Sequence, residues 1–171
     1  EPTLEDMVDI IQTAIELAHS LGVAVPKVAI LSAVETGTSK IRSTIDAAAL
    51  CKMADRGQIK GGLLDGPLAF DNAVSLVAAK TKGIKSVVAG NADILVVPDL
   101  ESGNMVAKQL EYLAGAAGCA AGPHSNQLQQ VFDHQTVVLV GGQCIEALGH
   151  GDAACAPVAA RRMADHHGQI L

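Results

Sequence analysis

The sequence has no tryptophan, one tyrosine and two phenylalanines. With only Phe70, Tyr112 and Phe132 to offer, it has no aromatic platform for stacking bases, which disfavours binding of single-stranded nucleic acid. Basic residues are also in deficit, with 12 Lys and Arg against 18 Asp and Glu and a formal charge of −6. Non-specific polyanion binding needs clustered cations, so no nucleic-acid partner is expected. A small anionic ligand needs only a local site and is still allowed. No apolar run approaches the roughly 20 residues of a membrane span. The start, Glu1-Pro2-Thr3-Leu4-Glu5-Asp6, lacks the basic-then-apolar pattern of a secretory signal. A cytoplasmic location with no membrane partner is the expectation. Cys51, Cys119, Cys144 and Cys155 form no CxxC pair, and a chain of this size does not depend on disulfides, so free thiols are expected.

What is present is aliphatic. Apolar residues make up 49% of the chain and charged residues 18%, enough for a core of Ala, Val, Ile and Leu and too apolar for general disorder. The length of 171 residues suits one domain, or one domain with an appendage.

Thr3 ahead of Leu4-Glu5-Asp6 predicts a helix start, and Met7, Ile10, Ile11, Ala14, Ile15, Ala18 and Leu21 recur at three and four, ending at Gly22. Val28 to Leu31 reads as the first strand and Ser32 to Ser43 as a polar loop holding Glu35, Lys40 and Arg42. A second helix is predicted from about Thr44 to Arg56. The centre of the chain then shows one arrangement twice. Gly61-Gly62-Leu63-Leu64 stops at Asp65-Gly66-Pro67, ahead of a helical pattern from about Ala69 to Lys82. Asp93 to Val97 stops at Pro98-Asp99, and a helix follows from Gly103 to about Leu113. Short apolar runs bounded by turn residues read as strands buried on both faces. Alternation with helices predicts an α/β fold, a three-layer α/β/α sandwich with a mostly parallel sheet. Each acidic turn would then lie at the carboxyl end of a strand, where such sheets bind ligands. The free amides of the following helix would favour an anion there.

Composition changes after Ala116. Five of the six histidines and three of the four cysteines lie beyond it, and no lysine follows Lys108. Residues 1–116 therefore read as one α/β domain and 117–171 as a divergent segment, with a strand at Thr136 to Val140 and helical stretches at Gln127 to Phe132 and Ala153 to His166.

Several segments together resemble the phosphate acetyl- and butyryltransferases. They are residues 26–35 (Pro26-Lys27-Val28-Ala29-Ile30-Leu31-Ser32-Ala33-Val34-Glu35), Asp46-Ala47-Ala48-Ala49-Leu50, residues 59–73 around Lys60-Gly61-Gly62-Leu63-Leu64-Asp65-Gly66-Pro67, and residues 88–104 ending in Glu101-Ser102-Gly103-Asn104. The resemblance covers residues 2 to about 116. It implies transfer of an acetyl or butyryl group between coenzyme A and inorganic phosphate, with coenzyme A as substrate and with no metal or redox cofactor. It also implies a two-domain α/β enzyme, isocitrate/isopropylmalate-dehydrogenase-like, that works as a homodimer or higher oligomer. The present residues match the second domain, with a first domain expected ahead of Glu1. The family's Ser-Arg motif has no counterpart in 117–171. A non-catalytic anion- or coenzyme A-binding or oligomerisation module is thus the second reading.

For this chemistry Asp65 is the candidate catalytic base, and Ser102, Gly103 and Asn104, with Gly66 and Pro67, are the candidate substrate contacts. Each also has a plainer reading. Asp65 could cap the following helix, Ser102 could cap its own, Asp71 could be structural, and Lys40 and Arg42 could be solvated loop residues. Cys51 falls in an apolar helical pattern and reads as a buried thiol. The His and Cys residues of the tail match no zinc spacing, so no metal is expected.

Overall fold

The computed structural model describes residues 2–114 and 137–139. The helices are α1 (Leu4–Ser20), α2 (Arg42–Asp55), α3 (Phe70–Val74), α4 (Leu76–Thr81) and α5 (Leu100–Ala114), and the strands are β1 (Lys27–Leu31), β2 (Leu63–Leu68), β3 (Ile94–Val96) and β4 (Val137–Leu139). The strand order is β2-β1-β3-β4. β1 is parallel to both β2 and β3, and β4 runs antiparallel to β3, with Ile94 opposite Leu139. The strand expected within Thr136 to Val140 is therefore β4, and it extends the sheet built by the earlier residues. The helical stretches expected at 127–132 and 153–166 lie outside the described residues.

Because strand side chains alternate, β1 and β3 each feed two cores. Val28, Ile30, Ile94 and Val96 face α1 and α2, packing with Ile11, Ile15, Ala47 and Leu50. Ala29, Leu31, Leu95 and Val97 face the other way, against Leu68, Ala73, Ala79 and Val88, with Val106 of α5 beside them. This is the expected α/β/α sandwich. β1 and β3 are apolar at every buried position because both of their faces are covered.

Helix α1 starts as the sequence implies. Thr3 Oγ1 accepts from the Asp6 amide at 3.1 Å, and Asp6 Oδ2 accepts from the Thr3 amide at 2.8 Å, a reciprocal cap. Its far end fixes the approach to β2. Gln12 exchanges two hydrogen bonds with the Lys60 backbone, and His19 Nε2 lies 2.8 Å from the Gly61 carbonyl. Gly61 has φ +88°, and a Cβ there would lie 2.7 Å from His19 Cε1, so this position needs both a left-handed backbone and no side chain.

Three boundaries differ from the sequence expectation. β2 does not stop at Leu64 but runs to Leu68, carrying Asp65, Gly66 and Pro67 inside the strand; the Gly66–Pro67 bond is cis, and the register with β1 shifts between Ala29 and Leu31. The helix expected over 69–82 is two helices, broken at Ser75, whose backbone is extended (φ −125°, ψ 115°) and whose Oγ accepts from the Ala78 amide to start α4. Helix α5 begins at Leu100, so Ser102, Gly103 and Asn104 fall within its first turns instead of at or ahead of its start. In each case a local cap or a cross-strand contact outweighs propensity.

Candidate functional site

The sheet order places β2 and β3 on opposite sides of β1. The chain therefore reverses direction around β1, and the carboxyl ends of β1 and β3 flank the switch point where open α/β sheets hold their ligands. A cavity of about 240 Å³ lies there. Leu31 and Pro98-Asp99 form its floor, the start of α1 one wall, and Arg42, Ser43 and Asp46 of α2 the other.

Helix α2 reaches this cavity with its amino end bare. Its cap residue Ile41 supplies no side-chain hydrogen bond, and no acid lies in its first turn. The dipole and the free amides of that turn favour an anion. Arg42 is the first helical residue, with a side chain 73% exposed and Nε 3.3 Å from Asp46 Oδ2. An exposed pair of this kind is weak enough to yield to a ligand. Ser43 Oγ lies 2.8 Å from Ser32 Oγ at the end of β1. Buried Thr44 accepts from the Thr38 amide at 2.9 Å, and its hydroxyl faces the carbonyls of Thr38 and Ile41. These contacts fold the loop between β1 and α2 back onto the helix start.

The residues singled out from sequence are not brought together. Asp65 is opposite Ala29, midway along the edge strand β2, and its Oδ1 accepts from the neighbouring Gly66 amide at 2.9 Å. It does not cap α3, which follows Ala69 with no side-chain cap. Asp65 lines a separate depression of about 360 Å³ along the outer edge of β2, facing Lys85 and Ser86. Gly66 lies so close to β1 that a Cβ would be 2.8 Å from the Ile30 carbonyl, and Pro67 has no amide hydrogen. Together with the Asp65–Gly66 bond, this leaves the carboxyl half of the edge strand with no free donor at 66 and 67, a barrier to unwanted strand pairing.

Ser102 is taken up by Asp99. The Ser102 amide and hydroxyl both donate to Asp99 Oδ1, at 2.7 and 2.8 Å. Gly103 is buried, Asn104 is exposed, and the Gly103 amide donates to the Asp99 carbonyl at 3.1 Å. Asp99 is therefore the cap of α5, a role the sequence reading offered to Ser102 as the alternative to substrate contact. The pattern Asp-x-x-Ser was the available signal. Arg42 and Ser43 were legible only as loop residues, because nothing in the sequence says that α2 begins at Arg42 with no cap.

Burial pushes the Cys51 thiol up to about 12, with the nearby Asp65 and Asp55 carboxylates adding to the effect. Its Sγ sits 3.8 Å from the Gly66 carbonyl, so it is a packed thiol and not a nucleophile, as its apolar setting implies. Among the described residues no group of His, Cys, Asp or Glu has the arrangement of a metal site, and no helix is long and apolar enough to cross a membrane.

Residues 1–125 match the family model described as phosphate acetyl/butaryl transferase. The chain belongs to this phosphate acetyl/butyryl transferase family. It is 64% identical over 123 residues to the phosphate acetyltransferase of Rhizobium meliloti, covering 71% of this chain and 39% of that protein. It is 53% identical over 119 residues to the probable phosphate butyryltransferase of Bacillus subtilis, covering 70% of this chain and 40% of that one. A branched-chain phosphotransacylase from Enterococcus faecalis shares the fold with a TM-score of 0.60 at 36% identity, over 64% of this chain and 39% of its own. The chain thus spans less than half the length of these relatives. The family match bears out the acyltransferase resemblance seen in the motifs.

Proposed function

We propose that this chain forms one wall of a phosphate acyltransferase cleft, in which an acetyl or butyryl group passes between coenzyme A and inorganic phosphate. In that step a phosphate oxygen attacks the thioester carbonyl, the C–S bond breaks, and the thiolate leaves; in reverse, a base takes the thiol proton, the thiolate attacks the acyl carbonyl of the acyl phosphate, the C–O bond breaks, and phosphate leaves. The observation that carries the reading is the uncapped start of α2, with Arg42 and Ser43 facing a cavity at the β1/β3 switch point in a chain of this family. Free amides and a guanidinium there would hold phosphate or the coenzyme's pyrophosphate and would stabilise the tetrahedral oxyanion.

The sequence-derived residues enter the proposal in revised positions. Ser102, Gly103 and Asn104 form a second anion-facing turn when Asp99 releases the Ser102 amide and hydroxyl. Asp65, with Gly66 and Pro67, would act as base only toward a thiol lying along the β2 edge, in the depression shared with Lys85. Coenzyme A is proposed as substrate, with no metal or redox cofactor. A cytoplasmic location and a homodimer or higher oligomer complete the reading, and the exposed Phe70, Val74 and Val77 of α3 and α4 offer apolar surface for a second copy.

The test is release of thiol from acetyl- and butyryl-coenzyme A by the purified chain, with and without phosphate. Phosphate-dependent release that Arg42→Gln lowers supports the proposal. Release that Arg42→Gln leaves unchanged removes the α2 site. Coenzyme A binding without release favours the second reading, a binding or oligomerisation module.

A further inference from the structure

Beyond Arg42 and Ser43 the switch-point cavity is lined by Leu4 and Met7 of α1, Ile30 of β1, and Ala47 and Leu50 of α2. Arg42 and Ser43, Asp46 and Ala47, and then Leu50 recur at helical spacing, so the cavity follows one face of α2 for roughly two turns, or about 10 Å. Its two lining aspartates are engaged elsewhere: Asp46 Oδ2 is 3.3 Å from Arg42 Nε, and Asp99 Oδ1 accepts from Ser102 at 2.7 and 2.8 Å. The lining thus has a guanidinium at one end and aliphatic side chains at the other.

Ile41 lines the same cavity. It holds the cap position of α2 and makes no side-chain hydrogen bond there. Ile is among the poorest residues at that position, where Ser, Thr, Asn or Asp would satisfy a free amide. Such breaks with local preference are expected where function claims the position. Ile41 and Leu4 are both half-buried, whereas Met7, Ile30, Ala47 and Leu50 are buried beneath them in the core. Size then limits the occupant. At about 240 Å³ the cavity is smaller than the roughly 300–1,000 Å³ that encloses a drug-sized ligand. It therefore excludes coenzyme A as a whole and accepts a short molecule, anionic at one end and aliphatic at the other.

We propose that this cavity is the acyl-chain pocket: the phosphate group of an acyl phosphate sits at Arg42 and Ser43, its alkyl chain runs along Leu4 and Ile41 toward Met7, and Leu4 and Ile41 select the chain length. The inference rests on the anion site at the start of α2 and adds to it the determinant of acyl preference.

The experiment titrates the 171-residue chain by calorimetry with inorganic phosphate and with methyl-, n-butyl- and n-octylphosphonate, which cannot transfer an acyl group. A buried methylene is worth about fourfold in affinity, so butylphosphonate should bind on the order of thirtyfold tighter than methylphosphonate. Octylphosphonate should gain less than about fourfold more, because the chain outgrows the cavity. Leu4→Ala and Ile41→Ala should each lower the butyl-to-methyl ratio by about threefold or more and leave methylphosphonate affinity unchanged, since Ala caps α2 no better than Ile. Arg42→Gln should weaken both phosphonates and keep their ratio. Equal affinities for methyl- and butylphosphonate overturn the proposal and leave the anion site standing. A rise that continues to octylphosphonate, or a ratio that neither Leu4→Ala nor Ile41→Ala moves, also overturns it. Failure of phosphate and all three phosphonates to bind removes the anion site and this inference together. Should one variant fail to fold, the other and the wild-type series decide.

Discussion

Asp99 Oδ1 accepts hydrogen bonds from both the amide and the hydroxyl of Ser102, at 2.7 and 2.8 Å. One carboxylate oxygen therefore occupies the two donors that an anion at the start of α5 would use. The negative charge that stabilises the helix also repels such a ligand, so cap and ligand compete for one place.

Asp99→Asn keeps a capping acceptor and removes the charge. Stability should change by less than about 0.5 kcal/mol, because Asn and Asp cap about equally well. Phosphate affinity should rise several-fold if Ser102 to Asn104 form an anion-facing turn. Thermal denaturation and a phosphate titration by calorimetry read the two effects, and unaltered affinity would drop this turn from the site.

Gly66→Ala would place a methyl 2.8 Å from both the Ile30 carbonyl and Ile30 Cβ and 3.3 Å from Ala47 Cβ. Overpacking between β2 and β1 should cost about 1–3 kcal/mol. Urea denaturation should show a lower midpoint at an unchanged slope, and wild-type stability would contradict the close approach of the two strands.

The Glu35–Lys82 pair sets a pH window. The Glu35 carboxyl is depressed below its ordinary value, so its contribution is present above that value and disappears as pH falls through the depressed one. Lys82 is raised, chiefly by its hydrogen bond to Glu35, so its contribution is present below its ordinary value and lost as pH rises through the raised one. Exchange over residues 33–40, corrected for intrinsic rates, should be flat through neutral pH and should rise at the acid end. In Glu35→Gln the acid-side rise should vanish, and its persistence would assign the acid sensitivity to another group.

Cys51, with its thiol pushed up to about 12, should resist alkylation at pH 8. Iodoacetamide should label the peptide containing Cys51 on the order of a hundredfold faster in denaturant than in the native chain, since the thiolate is the reactive species and burial suppresses it. Equal rates, followed by mass spectrometry, would show that the helix α2 face over Gly66 opens readily.

Much of the scaffold could be read from residue spacing, and the reason is local. Ile11 and Ile15 recur at helical intervals and are both fully buried against the sheet. Ile94 to Val96 form an uninterrupted apolar run because both faces of β3 are covered. The Thr3–Asp6 cap involves residues three apart, so the sequence alone shows it. The ends of the central elements were not legible in this way. Whether Asp65-Gly66-Pro67 is a turn or a strand depends on how closely β2 passes Ile30, 36 positions earlier in the chain.

The sequence by itself therefore determined the fold class, the alternation that makes the sheet mostly parallel, and the family, since each is written in local periodicity or in contiguous motifs. Only the tertiary structure decided which groups lie together in space. It set Asp65 against the β2 edge, gave Ser102 to Asp99, and left the start of α2 bare at the switch point with Arg42 and Ser43. Such juxtapositions follow from strand order and from packing between distant residues, and neither has a period that can be read along a single chain.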